Sequence, residues 1–176
     1  TSLLVTLVST AFAAENWPQW RGPAGTGVSG ERDIPLIWSE SRSLRWKCEL
    51  PGWGASTPAI WGDTIFVTGQ AENHELWLAR IDKRTGKIVW QKTVGLGETP
   101  REAPKRLAQK FHALHNFASP SPVTDGKVVV VHFGNGDFAA YDFTGEQLWN
   151  RNLQEDYGGY TNWYGHANSP VLFQQT

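Results

Sequence analysis

The chain has 176 residues, and 16 Lys and Arg against 17 Asp and Glu leave a formal net charge of −1. A dedicated nucleic-acid binder carries a basic excess, so that class is excluded, and 40% apolar against 19% charged residues excludes a disordered chain. Cys48 is the single cysteine, which excludes an internal disulfide framework and a zinc site of several thiolates, while 10 Trp and 18 Gly beside 10 Pro point to short strands between turns.

Residues 1–14 carry no charge, and Leu3 to Val8 is apolar. The stretch closes on Ala11-Phe12-Ala13, the small-x-small pattern of a signal-peptidase site. It is too short for a membrane span, which needs about 20 residues. The expectation is a signal peptide over 1–14, truncated at its start, with the mature chain beginning near Ala14 or Glu15 and exported to the periplasm or secreted. A buried N-terminal strand or helix is the other reading of the same residues. Residues 15–43 read as a flexible leader. Gly25-Thr26-Gly27-Val28-Ser29-Gly30 within it matches a dinucleotide-binding pattern, but no strand precedes it and Pro35 falls where the helix should run. Residues 44–50, with Trp46, read as a lone fourth strand that closes a ring with strands from a later part of the protein.

An internal repeat organises the rest. Leu78-Ala79-Arg80-Ile81-Asp82 leads through Thr85-Gly86 to Trp90, and Phe138-Ala139-Ala140-Tyr141-Asp142 leads through Thr144-Gly145 to Trp149. The second copy is one residue shorter between Asp and Gly. Before each copy a Ser/Thr-Pro step opens a β-branched run: Thr57-Pro58 before Thr64-Ile65-Phe66-Val67, and Ser121-Pro122 before Val128-Val129-Val130-Val131. A third opening begins at Ala167-Asn168-Ser169-Pro170. Proline suits the first residue of a strand, Asp-Gly and Asn-Gly steps make tight hairpins, and glycine supplies positive φ where the chain turns. Each unit is therefore an antiparallel meander, with strands near 57–60, 64–69, 75–82 and 87–94, then near 121–124, 127–133, 137–142 and 146–153. The second strand of each is apolar on successive residues, so both of its faces should be covered.

At these residues the chain resembles the PQQ-type, quinoprotein-like repeat family, whose docking motif reads Ala-x-Asp-x-x-x-Gly-x-x-x-Trp. Ala140, Asp142, Gly145 and Trp149 match with one deletion. Asp82, Gly86 and Trp90 match, with Arg80 in place of the alanine. Trp17-Pro18-Gln19-Trp20-Arg21-Gly22-Pro23 is similar to the start of exported bacterial members. The resemblance implies an all-β propeller of four-stranded blades, eight when complete, in which each Trp stacks on the motif glycine of the next blade. Residues 44–176 would hold two full blades and parts of others. It also implies two kinds of function. One is a non-catalytic binding or scaffold module with a protein partner and no cofactor, to which the aromatic residues of the rim alone add the expectation of a carbohydrate partner. The alternative is an alcohol or sugar dehydrogenase holding PQQ with calcium, whose catalytic residues this sequence does not identify.

In such a blade the fourth-to-first connections share a rim. Three are expected, at 51–54, 95–118 and 154–168, and they carry Trp53, His112, His115, Asn116, Tyr157, Tyr160, Trp163, Tyr164, His166 and Asn168. Long loops are where binding residues concentrate, and aromatics with amides suit a flat or sugar-like ligand or a protein surface. The same rings can equally pack the loops onto the rim. Residues 101–114 read as a short helix with Ala103, Leu107, Phe111 and Leu114 on one face. His112 and His115 then share a helical side, but a metal site needs further ligands, His166 or Glu155, and the spacing specifies no such set. The expectation is no metal. Ser56, Thr57, Ser119, Ser121, Asn168 and Ser169 lie near the axis, either to meet a ligand or to start their strands.

Overall fold

The computed structural model describes residues 15–32, 34–97, 114–160 and 165–173. The expected signal peptide, most of the 101–114 helix, His112, Trp163 and Tyr164 lie outside the described residues. The first sheet contains β1 (Ala59–Trp61), β2 (Thr64–Gln70), β3 (Glu75–Asp82) and β4 (Ile88–Leu96). The second contains β5 (Val123–Thr124), β6 (Val128–His132), β7 (Asp137–Asp142) and β8 (Gln147–Asn152), and runs into the short helix α1 (Leu153–Tyr157). Both sheets are antiparallel meanders in simple sequence order, as the repeat predicts. The innermost strands are shorter than expected, because the residues before them bond to neighbouring segments instead of to a hairpin partner.

The β3–β4 and β7–β8 turns show why Asp and Thr recur. Asp82 Oδ1 accepts from the backbone N–H and the hydroxyl of Thr85, at 2.8 and 2.9 Å. Asp142 Oδ1 accepts from the N–H and hydroxyl of Thr144, at 2.8 and 2.7 Å, and from Glu146 N–H at 2.9 Å. These bonds hold the carboxylates of both aspartates below the usual carboxylate range. The glycine that follows takes positive φ in both copies, 72° at Gly86 and 91° at Gly145. The deletion is absorbed inside the turn: Gly86 N–H reaches back four residues to Asp82 O, whereas Gly145 N–H reaches back three to Asp142 O.

The two sheets pack face to face over one core. Phe66, Leu76 and Leu78 from the first meet Val129, Val131, Ala139 and Tyr141 from the second, with Phe117, Ala118 and Phe133 closing the rim end. Val130 turns the other way and packs with Val123, Ala140, Phe138 and Leu172. β6 is thus covered on both faces, which explains its unbroken run of valines.

Tryptophans wedge between units as expected. The Trp90 indole lies on Gly145, where a Cβ would come within 3.1 Å of the ring, and its Nε1–H donates to Phe143 O at 3.0 Å. Trp46 repeats the arrangement one unit earlier, lying on Gly86 and donating to Lys83 O at 2.9 Å. Residues 44–50 join no β-ladder among the described residues, so the expected lone strand is represented by this docking alone. A further wedge escaped the sequence reading: Trp61 covers Gly126, where a Cβ would meet the ring at 2.4 Å.

The leader is tied down near its start. Trp17 and Ile60 exchange backbone hydrogen bonds of 2.9 and 2.8 Å, and Pro18 O accepts from Thr124 N–H at 2.9 Å. This short stretch therefore sits between the inner strands of both sheets. Glu15 accepts from Gly30 N–H at 2.8 Å and closes the glycine-rich stretch into a loop. No helix among the described residues is long and apolar enough to cross a membrane.

Candidate functional site

Consecutive units are joined at their inner strands by the hydroxyl that precedes each proline. Thr57 N–H donates to Ser121 Oγ at 2.9 Å, and Ser121 N–H donates to Ser169 Oγ at 2.9 Å. Each proline can offer no N–H of its own, so the residue before it carries the link. Of the axial hydroxyls singled out from the sequence, Ser121 and Ser169 are latches between units. Ser56 is used within its own sheet, accepting from the Thr68 hydroxyl at 2.9 Å.

Beside this inner line lies a cleft of about 660 Å³. Its walls include Gln19 and Trp20 from the leader, His115 and Ser119 from the segment before β5, and Ala167 to Val171 from the start of the third unit. Trp20 is 56% exposed, and the Arg21 guanidinium sits 5.5 Å from its ring centre. Ser119 donates to Asn116 O at 2.8 Å. Ser119 Oγ also contacts His115 Nδ1 and accepts from Asn116 N–H at 3.2 Å. The described lining holds no carboxylate, lysine or arginine; it consists of amides, hydroxyls, an imidazole, an indole and apolar side chains. PQQ, a quinone bearing three carboxylates, calls for cationic donors, and its calcium ion calls for carboxylates. The described lining does not fit that pair.

The rim above the second sheet is a polar lattice. Asn135 Nδ2 donates to Leu96 O at 3.0 Å and to Asp137 Oδ2 at 2.7 Å. Asn152 Nδ2 donates to Asp137 Oδ1 at 2.9 Å, and Gln154 Nε2 donates to Asn135 O at 2.7 Å. Asn152 also caps α1 through its side-chain oxygen. Glu155 and Asp156 lie in the first turn of α1, where Asp156 pairs with Arg151 at 2.6 Å.

The rim residues expected from sequence separate into three places. Trp53 exchanges backbone hydrogen bonds with Gln70, and its carbonyl also accepts from Asn116 Nδ2 at 3.0 Å. Asn116 is buried, and its oxygen accepts from Ala118 N–H, so this amide holds the loop. Tyr160 and His166 pack with ring centres 4.0 Å apart and planes tilted by 56°, and burial raises the Tyr160 hydroxyl above its ordinary pKa. His115 and Asn168 are brought together in the cleft. Among the described residues no cluster of three or more His, Cys, Asp and Glu is placed to hold a metal ion.

Sequence reasoning missed Gln19 and Trp20 as cleft walls, and it missed His132. The latter is buried at the end of β6, with Nδ1 3.1 Å from Asn168 O and the ring edge-on to Phe138 at 5.8 Å. Its one visible signal was a histidine closing a run of four valines.

The family model for PQQ repeats described as outer membrane protein assembly factor BamB matches residues 28–171. Among solved structures, the quinohemoprotein alcohol dehydrogenase from Comamonas testosteroni is similar over 93% of this chain and 23% of its own, with 22% identity and a TM-score of 0.60. BamB from Moraxella catarrhalis is similar over 61% of this chain and 30% of its own, with 18% identity and a TM-score of 0.40. The chain thus spans less than a third of either structure. No curated protein matches. At these identities the likeness speaks to fold, and the two stacked meanders are part of an all-β propeller.

Proposed function

We propose, from the premise that the chain belongs to the PQQ-like repeat family whose model it matches over residues 28–171, that it is part of an exported, non-catalytic propeller that binds a protein partner. One observation carries this reading. Several of the described polar side chains at the axis and rim hold the scaffold: Ser121 and Ser169 link units, Asn116 fixes a loop, and Asn135, Asp137, Asn152 and Gln154 brace one another. An enzyme needs such groups aimed at a substrate. The leader adds a surface suited to a protein, since Leu36, Ile37 and Trp38 are 94%, 65% and 72% exposed in succession.

Two measurements test the proposal on the full-length protein. A photoreactive residue at Trp38 or Trp20 is expected to crosslink one defined envelope protein in living cells. Added PQQ and calcium are expected to give no dye reduction with alcohols or aldose sugars. Turnover in that assay would overturn the non-catalytic reading, and crosslinking no different from that of a buried control position would overturn the partner. Export is checked by the N-terminus of the mature protein, expected at Ala14 or Glu15.

A further inference from the structure

We infer, resting on the protein-partner reading above, that the partner meets this chain with a segment both acidic and apolar, docked on a patch formed by residues 34–47 and the β3–β4 turn. The apolar half of the patch is one run of sequence. Ile34, Leu36, Ile37 and Trp38 are all exposed, Leu36 almost completely. A tight turn follows, in which Ser39 and Arg42 exchange backbone hydrogen bonds of 2.9 and 3.1 Å. Glu40 at the tip of that turn pairs with Lys47. The adjacent Trp46 lies on Gly86 and donates to Lys83 O at 2.9 Å. These links set the apolar run beside the β3–β4 turn, although the two are far apart in sequence.

The basic half comes from both sides of this seam. Arg42 and Arg45 belong to the leader side and Lys83 and Lys87 to the β3–β4 turn, and none of the four has an ion-pair partner among the described residues. Arg42, Arg45 and Lys87 are exposed. Most carboxylates nearby are engaged. Glu40 holds Lys47, Asp63 lies 3.7 Å from Arg84, and Asp82 accepts the hydrogen bonds of its own turn. Glu49 is exposed without such a partner. Contiguous apolar side chains in water favour a partner that covers them, and unpaired cations around them favour carboxylates on that partner. Arginine takes a carboxylate through two parallel N–H bonds, so Arg42 and Arg45 supply direction as well as charge. An anionic membrane offers the same sign but responds to the summed charge, and here Glu40, Glu49, Asp63 and Asp82 offset most of what the basic side chains bring. A polypeptide can set its carboxylates opposite the unpaired cations and avoid the rest.

The full-length protein carrying a photoreactive residue at Trp38 tests this. Mass spectrometry of the crosslinked product reads the partner's contact segment, expected to hold apolar residues and more Asp and Glu than Lys and Arg. Arg42→Glu combined with Lys87→Glu is expected to cut the crosslinking yield by about tenfold or more, because like charges then face each other. The double variant should melt like wild type, since neither side chain has an ion pair to lose. Lys127→Glu, at an exposed place in the β5–β6 turn, is expected to leave the yield unchanged. Salt gives the same readout without a variant: going from about 0.1 to about 1 M in a cell lysate shortens the screening length from about 10 to about 3 Å and should lower the yield. A contact segment that is basic or uncharged, a yield unmoved by the double variant or by salt, or a crosslink to a later part of this chain or to a second copy would each overturn the acidic segment while the non-catalytic reading stands. Flotation with phosphatidylglycerol but not phosphatidylcholine vesicles, abolished by the double variant, would overturn it in favour of a lipid surface. A Trp38 crosslink no stronger than that of a buried control would instead remove the partner itself, and this inference with it.

Discussion

Trp90→Ala removes the wedge between the two sheets, and the structure sets the size of the effect. The indole lies on Gly145 and packs near Phe66 and Tyr141, with ring centres at 5.9 and 6.3 Å. Truncating a large buried aromatic costs about 3–5 kcal/mol, and partial exposure of Trp90 argues for the lower end, about 3 kcal/mol. No further penalty is due at Phe143 O, because Arg80 Nη1 also donates to it at 2.7 Å. In a folding unit of about 150–250 residues a loss of about 3 kcal/mol lowers the melting temperature by about 6–12 °C. Circular dichroism in a thermal or urea series measures it, with Trp20→Ala as the exposed control, expected within about 0.5 kcal/mol of wild type. Equal effects at Trp90 and Trp20 would refute the idea that docked indoles hold neighbouring sheets together.

Three further outcomes follow from the same geometry. Gly86→Ala puts a methyl 2.4 Å from the Trp46 ring at a φ of 72°, so a loss of about 2 kcal/mol or more is expected in the same melts. Asp82 and Asp142 have lowered pKa values, chiefly from hydrogen bonds donated by Thr85 and Thr144. Their stabilisation is present above about pH 3.9 and is lost as pH falls through the lower folded values; carboxyl NMR should show both titrating late, and Thr144→Val should return Asp142 toward the ordinary range. Ser121→Ala strips the acceptor from Thr57 N–H, with an expected cost of about 1–2 kcal/mol and faster exchange of that amide.

Much of the fold was legible because turns and strand periods are local. Asp142, Thr144 and Gly145 specify their turn among themselves, so the repeat could be read without knowing what it packs against. The valine run of β6 announced two covered faces for the same reason. The candidate site was less legible because its bonds are long-range. Nothing in Ser121 distinguishes a ligand-facing hydroxyl from one that accepts Thr57 N–H, since the two lie far apart in sequence. Asn116 read as a rim donor, yet its amide is satisfied by Trp53 O and Ala118 N–H. Trp17 and Pro18 sat in a presumed leader because their partners, Ile60 and Thr124, belong to two different sheets.

Arg80 is where the repeat departs from its own motif, and the structure gives the departure a purpose. Arg80 and Trp90 are register partners on β3 and β4, so both side chains leave the first sheet at the same level. They converge on one acceptor, Phe143 O, at 2.7 and 3.0 Å, while the guanidinium carbon lies 6.0 Å from the Phe143 ring centre. In the second copy Ala140 occupies the place of Arg80 and pairs with Trp149, so that copy has the indole without the second donor. A double-mutant cycle separates a shared latch from two independent contacts. Each single change, Arg80→Ala or Trp90→Phe, leaves Phe143 O with one donor. The double change removes both, and its cost should exceed the sum of the singles by about 0.5–1 kcal/mol. Additivity within about 0.3 kcal/mol would mean that the carbonyl is satisfied by solvent once either donor is gone, and that Arg80 contributes through packing on Phe143 instead.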